Sequence, residues 1–361
     1  MRATMLTGVH PPQGASSVRM MLLEFESAFL AVVSRECGPT NRGDIMEPVT
    51  GRPLGRRIRR VRISDRYQLF LYAVPFLALV FVFSYLPLYG WLYAFYNYRP
   101  GFSLFDTEFV GFHWFKSIVS NPTQTQEVMR VMRNTMAMSM LGLITSILPV
   151  IFAIMLMEIR SARFKKFVQI FTTLPNFISW VLVYAIAFML FSVDMGVVNK
   201  VMISLGFQDH GINYLASDSH TWLKMILWST WKGLGWGAIL FIAAIASIDQ
   251  ELYDAAKVDG AGRFRLMWHI TVPGLMPTYF VLLLLSIANF INNGLEQFYV
   301  FQNPMNKDHI EVLDLYVYNI GLVGFNFSFA TAVSMLKSIV SIALLFFANR
   351  MSKWVRGQTI I

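Results

Sequence analysis

The sequence predicts an all-α protein that crosses a membrane six times, and three observations carry that prediction. Of 361 residues, 55% are apolar and 14% charged, with a mean hydropathy of +0.51; soluble domains carry about 25% charged residues. Six apolar segments lie at approximately Tyr67–Tyr96, Thr135–Met157, Phe167–Phe191, Trp222–Ile248, Leu275–Ile291 and Ala330–Ala348. Each is near or above the ~17–25 residues that a spanning helix requires. The connections between them alternate in basic content, seventeen Lys and Arg in one set against six in the other.

Residues 1–60 mix Gly, Pro and charge without periodicity, and their one apolar stretch, Met20–Val33, is interrupted by Glu24 and Glu26. That composition predicts a disordered cytoplasmic tail ahead of a membrane domain over 61–361. Translation from Met46 would remove most of it. The single cysteine, Cys37, closes no intramolecular disulfide, and Arg35 and Glu36 argue against a lipid-attachment signal. The first span is long, and Pro75, Pro87 and Gly90 predict one tilted or broken helix rather than two short ones. Pro149, Pro175, Gly233, Gly235 and Gly237 interrupt later spans, as membrane helices tolerate when neighbours satisfy the backbone.

The basic-rich set comprises seven arginines in 52–66, then Arg160, Arg163, Lys165, Lys166, Lys257, Arg263, Arg265, Arg350, Lys353 and Arg356. Positive residues stay on the cytoplasmic side. Both termini and residues 249–271 are therefore expected inside, with 99–133, 193–221 and 299–328 outside. The net charge of +9 follows from this topology and gives no reason to expect nucleic acid. External connections of roughly 30–40 residues are too small to be capture domains.

The fourth connection, residues 249–273, reads as two short helices. Asp249 suits the N-cap of the first, Glu251 sits near its positive end, and Gly260 stops it in a left-handed conformation. Leu252, Ala255, Ala256 and Asp259 share one face, kept thin by its alanines. Phe264, Met267, Trp268 and Thr271 share a face of the second helix before Pro273 leads into the fifth span. Such a hairpin suits docking into a partner's groove.

Asp254-Ala255-Ala256, three residues, Gly260, nine residues, Ile270, one residue, Val272-Pro273 resembles the EAA motif of bacterial ABC-importer permeases. Asp254 stands where the motif usually has Glu, and Val272 where Leu is usual. Trp231 to Gly237, Gly294 to Gln297, Gln302 to Pro304, Tyr316 to Tyr318 and Ala330 to Val333 resemble carbohydrate-uptake permeases of the LplB type. The likeness covers about residues 61–361. It implies the MetI-like permease fold and sugar oligomers as cargo. As partners it implies a second homologous permease in a pseudo-twofold pair, two cytoplasmic ABC ATPases and an extracellular solute-binding lipoprotein, in a bacterial plasma membrane whose lipids surround the spans. It also makes 249–273 the ATPase-coupling loop, carried by Glu251, Asp254, Ala255, Ala256, Asp259, Gly260, Ile270 and Pro273. The chain has no G-x-x-x-x-G-K-[ST] phosphate loop, so ATP is expected on the partner ATPases and no cofactor or metal on this chain.

Lys232, Glu296 and Lys337 are charges at costly positions and are expected to face the bundle interior or water. Asn289, Asn292, Asn293, Glu296 and Tyr299 form a polar and aromatic cluster that suits sugar rings, and interhelical glue accounts for it equally well. Trp231 and Trp236 offer sugar platforms, with packing or interfacial anchoring as the competing account. No catalytic triad or carboxylate pair stands out, so no enzyme activity is expected. A secondary transporter or membrane-embedded enzyme without an ATPase is the alternative, and it requires inverted repeats or a catalytic cluster.

Overall fold

The computed structural model describes residues 65–356, with side chains from Phe70 to Lys353. The expected tail over 1–60 lies outside them. Among the described residues every regular element is helical, and an isolated antiparallel bridge joins Tyr96 to Phe109. Five helices are long and apolar enough to cross a membrane: Phe70–Phe95, Pro122–Met157, Thr221–Ala246, Arg263–Ala288 and Phe327–Lys353. A sixth span is made by Ala162–Phe177 and Trp180–Phe191, which meet at 106°.

Each interruption has a local cause. In the first span the α-helix passes through a π-helical turn, Phe81–Tyr85, into a 3-10 run, Leu86–Phe95. Pro87 has no N–H to give, and the change of winding accommodates its ring without breaking the rod. The second span starts earlier than its hydropathy indicates, because Asn121 caps it by accepting from the N–H of Thr123 at 3.1 Å. The third span is interrupted at Pro175, as expected, but by a full change of direction. Pro175 sits in a 3-10 turn, Leu174–Phe177, Ile178 and Ser179 are extended, and Ser179 Oγ accepts from Leu182 N–H to start a new helix in a new direction.

The spans pack in two layers of core. Toward one end, Val150 and Ala153 of the second span meet Ala238 and Phe241 of the fourth and Leu275 of the fifth. Toward the other, Met138, Val183 and Met225 meet Phe298, Phe301, Ile310, Val312 and Leu315. All of those last residues but Phe298 belong to 299–328, expected as an external connection. Much of that stretch is core rather than solvated loop, because Leu313, Leu315 and Tyr316 on the short helix Leu313–Tyr318 are each at most 3% exposed. By contrast, the large apolar side chains of the first span from Phe70 to Tyr89 are all exposed in the single chain. Only its outer end, around buried Ala94, packs closely on the sixth span.

Candidate functional site

The loop of residues 249–273 begins with the helix Gln250–Val258. Asp249 caps it by accepting from Glu251 N–H at 2.9 Å. It ends in a Schellman turn: Gly260 has φ +77°, its N–H donates to Lys257 O, and Ala261 N–H reaches back to Ala256 O at 2.9 Å. Asp254 pairs with Lys257 at 2.9 Å. That hydrogen bond, with the lysine's charge, holds the Asp254 carboxyl below the usual carboxylate range. Leu252, Asp254, Ala255 and Asp259 are exposed, as is Glu251.

The expected second short helix is not separate. Arg263–Leu266 runs through a π-helical turn, Met267–Thr271, directly into Val272–Ala288, giving one rod from Arg263 to Ala288. Val272 N–H donates to Met267 O, and this wider winding accommodates Pro273 where an ordinary helix would be strained. Ile270 is half-buried within the turn. Phe264 and Trp268 are 84% and 71% exposed, but Thr271, expected on their face, is buried. Its hydroxyl shares a 2.9 Å hydrogen bond with Tyr253 Oη, tying the loop helix to the base of the fifth span. A cavity of about 410 Å³ opens behind this joint, between Met157, Ile245, Tyr253 and Leu266.

Lys232 serves the bend in the third span. Its Nζ donates to Asn176 O at 2.7 Å and lies 5.4 Å from the centre of the Trp180 ring. A carbonyl freed by the broken helix thus gains a charged donor. Gly235, three residues on, makes the approach possible, since a Cβ there would stand 2.3 Å from Thr172 O. Trp236 packs edge-on to Phe177 at 5.7 Å, and Trp231 packs on Trp228 at 5.8 Å. Both tryptophans remain exposed on another side.

The fifth span ends at Ala288, and the chain from Asn289 to Leu295 is not helical before the short helix Glu296–Phe301. Asn293 holds this break to the second span: its Nδ2 donates to Thr135 O at 3.0 Å and its Oδ1 accepts from Ser139 Oγ at 2.9 Å. Asn289 and Asn292 are exposed and bond locally. Glu296 and Tyr299 are exposed on the short helix, with the Tyr299 ring 5.1 Å from that of Tyr318.

The candidate path residues thus fall into two clusters, Trp231, Lys232 and Trp236 at the bend, and Asn289, Asn292, Asn293, Glu296 and Tyr299 beyond the fifth span. Buried Gln297 links them by donating to Met225 O at 2.7 Å. Lys232 lies seven residues from Met225, about 10 Å along the helix. Sequence reasoning missed Gln297, Tyr253 and Asp314. Asp314 accepts from the N–H groups of Asn293 and Gly294 and pairs with Lys337. The available signal was a carboxylate within an apolar run, Leu313 to Val317, and an unmatched lysine in the sixth span. Among the described residues no three His, Cys, Asp or Glu side chains converge as metal ligands.

Residues 146–357 match the family described as the binding-protein-dependent transport system inner membrane component. The chain belongs to this family. It is therefore a multi-pass permease component of a binding-protein-dependent transport system. Protein LplB of Bacillus subtilis (strain 168) is 42% identical over 286 residues, 79% of this chain and 88% of the relative. The polygalacturonan/rhamnogalacturonan transport system permease protein YteP of the same strain is 36% identical over 81% of this chain and 90% of its own length. A chain in the crystal structure of a bacterial ABC transporter that imports the acidic polysaccharide alginate superposes with a TM-score of 0.72 at 28% identity, over 81% of this chain and 97% of that one. The structure of the bacterial alginate ABC transporter in complex with its alginate pentasaccharide-bound periplasmic protein gives 0.74 at 28% identity over 82% and 97%.

Proposed function

We propose that this permease forms one half of a path for carbohydrate oligomers, opened and closed by ATPases that dock on residues 249–273. The single observation that carries the coupling reading is mechanical. An exposed, doubly capped helix is tied through Tyr253 and Thr271 to one rod running from Arg263 to Ala288, so displacement of the loop moves the fifth span. Glu251, Asp254, Ala255, Ala256, Asp259 and Gly260 form the docking surface, with Ile270 and Pro273 in the joint.

The partners in this reading are a homologous permease in a pseudo-twofold pair, two ATPase subunits that bind ATP, and an extracellular binding lipoprotein. The basic-residue asymmetry supports both termini and the coupling loop on the cytoplasmic side of the plasma membrane. This chain's own work is binding and conformational change, with no bond made or broken. Carbohydrate cargo is supported by the names of similar proteins, and two of these handle acidic polysaccharides. Exposed Trp231, Trp236, Asn289, Asn292, Glu296 and Tyr299 provide the cargo-facing groups, held in place by Lys232 and Asn293.

The test is reconstitution of the complete complex in proteoliposomes with labelled oligogalacturonides and neutral oligosaccharides. Uptake requiring both ATP and the binding protein is expected. Uptake driven by an ion gradient without ATP would overturn the reading.

A further inference from the structure

Two cavities adjoin along the sixth span, Phe327–Arg356. The deeper, about 380 Å³, is lined by Asn292, Asp314, Ser334, Lys337, Ser338 and Ser341 among others. The outer, about 470 Å³, has Trp91, Tyr93 and Tyr318 in its wall and shares Asp314, Val317 and Ser334 with the deeper one. They form one groove from Phe327 to Ser341, about 21 Å at 1.5 Å per residue. We propose that this groove is an oligosaccharide-binding face of the translocation path, separate from the surface around Lys232 and Trp236. The inference rests on the carbohydrate reading given above.

The chemistry of the lining selects the occupant. At membrane depth an unpaired polar group is costly, and a wall carrying hydroxyls, an amide and an ion pair requires a ligand that hydrogen-bonds. The Lys337 and Asp314 side chains pair with each other yet keep 17% and 21% of their surface exposed, enough to donate to and accept from a ligand without separating. Ser338 bonds back to Ser334 O at 3.0 Å, and Ser334 and Ser341 line the groove. A lipid acyl chain would offer no hydrogen bond to these side chains. The outer end instead offers aromatic rings, Trp91 being 40% exposed, and such faces take the C–H side of a pyranose ring. Polar groups at one end, flat rings at the other and a length of several residues along the helix suit a chain of sugars better than a single one. The groove also joins the cluster already described, since Asn292 lines it and Tyr318, in its outer wall, packs edge-on to Tyr299.

The full complex in proteoliposomes provides the test. Ser338→Leu combined with Ser341→Leu replaces two hydroxyls with bulk, and oligosaccharide uptake should fall at least about tenfold, the scale of one or two lost hydrogen bonds. Leu336→Phe, on the opposite face of the same helix, should leave uptake unchanged and controls for added volume. In a Cys37→Ser background, Ser341→Cys should react with a small thiol reagent and be protected by a saturating pentasaccharide. Uptake within twofold of normal in the double leucine variant would overturn the proposal. So would an unprotected, fully reactive cysteine in a transporting complex, or phospholipid captured by a photo-crosslinker at position 341. Absence of any carbohydrate uptake by the unaltered complex would instead sink the cargo reading, and this inference with it.

Discussion

Asp314 and Lys337 form an ion pair between the short helix Leu313–Tyr318 and the sixth span, and the other oxygen of Asp314 accepts the backbone N–H groups of Asn293 and Gly294. One carboxylate thus binds the broken end of the fifth span to the sixth. Breaking such a pair strands a charge, whereas removing both partners removes the penalty. Lys337→Met and Asp314→Asn should each lower the thermal midpoint of the purified complex, and the double variant should recover part of the loss. A double variant less stable than either single would show that the pairing itself is not what matters.

Lys232 meets its obligations inside the chain, at Asn176 O and the Trp180 ring. It is therefore a positioning residue for the bend. Lys232→Met leaves a carbonyl unpaired, at about 1–3 kcal/mol. It should lower thermal stability and reduce uptake of acidic and neutral oligosaccharides by the same factor. Loss confined to acidic cargo would place the ammonium on the substrate instead.

What the sequence made legible follows from how each feature is encoded. Spans are written as apolar length, which made the five continuous helices and the bent pair readable as six segments, and Asp249 and Gly260 marked the ends of the loop helix through local capping chemistry. The bend at Ile178–Ser179 was not readable, because Pro175 signals an interruption but the direction is set by the approach of Gly235 to Thr172, 63 residues away in sequence. The continuity of Arg263 to Ala288 was hidden because proline ordinarily ends a helix, and only a change of winding keeps it. Asn293 was visible as a polar residue, but the partners that make it a tie to the second span depend on the tertiary fold.

Tyr253 and Thr271 share a hydrogen bond between the helix Gln250–Val258 and the base of the fifth span, the joint through which we propose the loop acts. Tyr253→Phe and Thr271→Val each remove it, with a net cost of about 1 kcal/mol. The ATPase should still co-purify, because neither side chain belongs to the exposed surface, while stimulation of hydrolysis by the binding protein should fall several-fold. The two substitutions together should do no more than either alone. Additive losses would mean that the residues act separately.

Gly260 offers the sharpest test of docking, because two effects that usually coincide are separable there. Its φ of +77° makes any L side chain cost roughly 1 kcal/mol. Yet a Cβ would meet nothing within 4 Å of its own chain. The first carbon of a side chain therefore meets no obstacle in the free subunit, and a difference between a small and a large side chain that leaves subunit stability unchanged reports contact with a partner. Gly260→Ala should assemble and retain most uptake. Gly260→Glu should insert in the membrane equally well but abolish uptake, and either lose the ATPase on purification or free its hydrolysis from control by the binding protein. If alanine and glutamate behaved alike in uptake, co-purification and stimulated hydrolysis, backbone strain alone would explain the position, and residues 249–273 would not be where the ATPase docks.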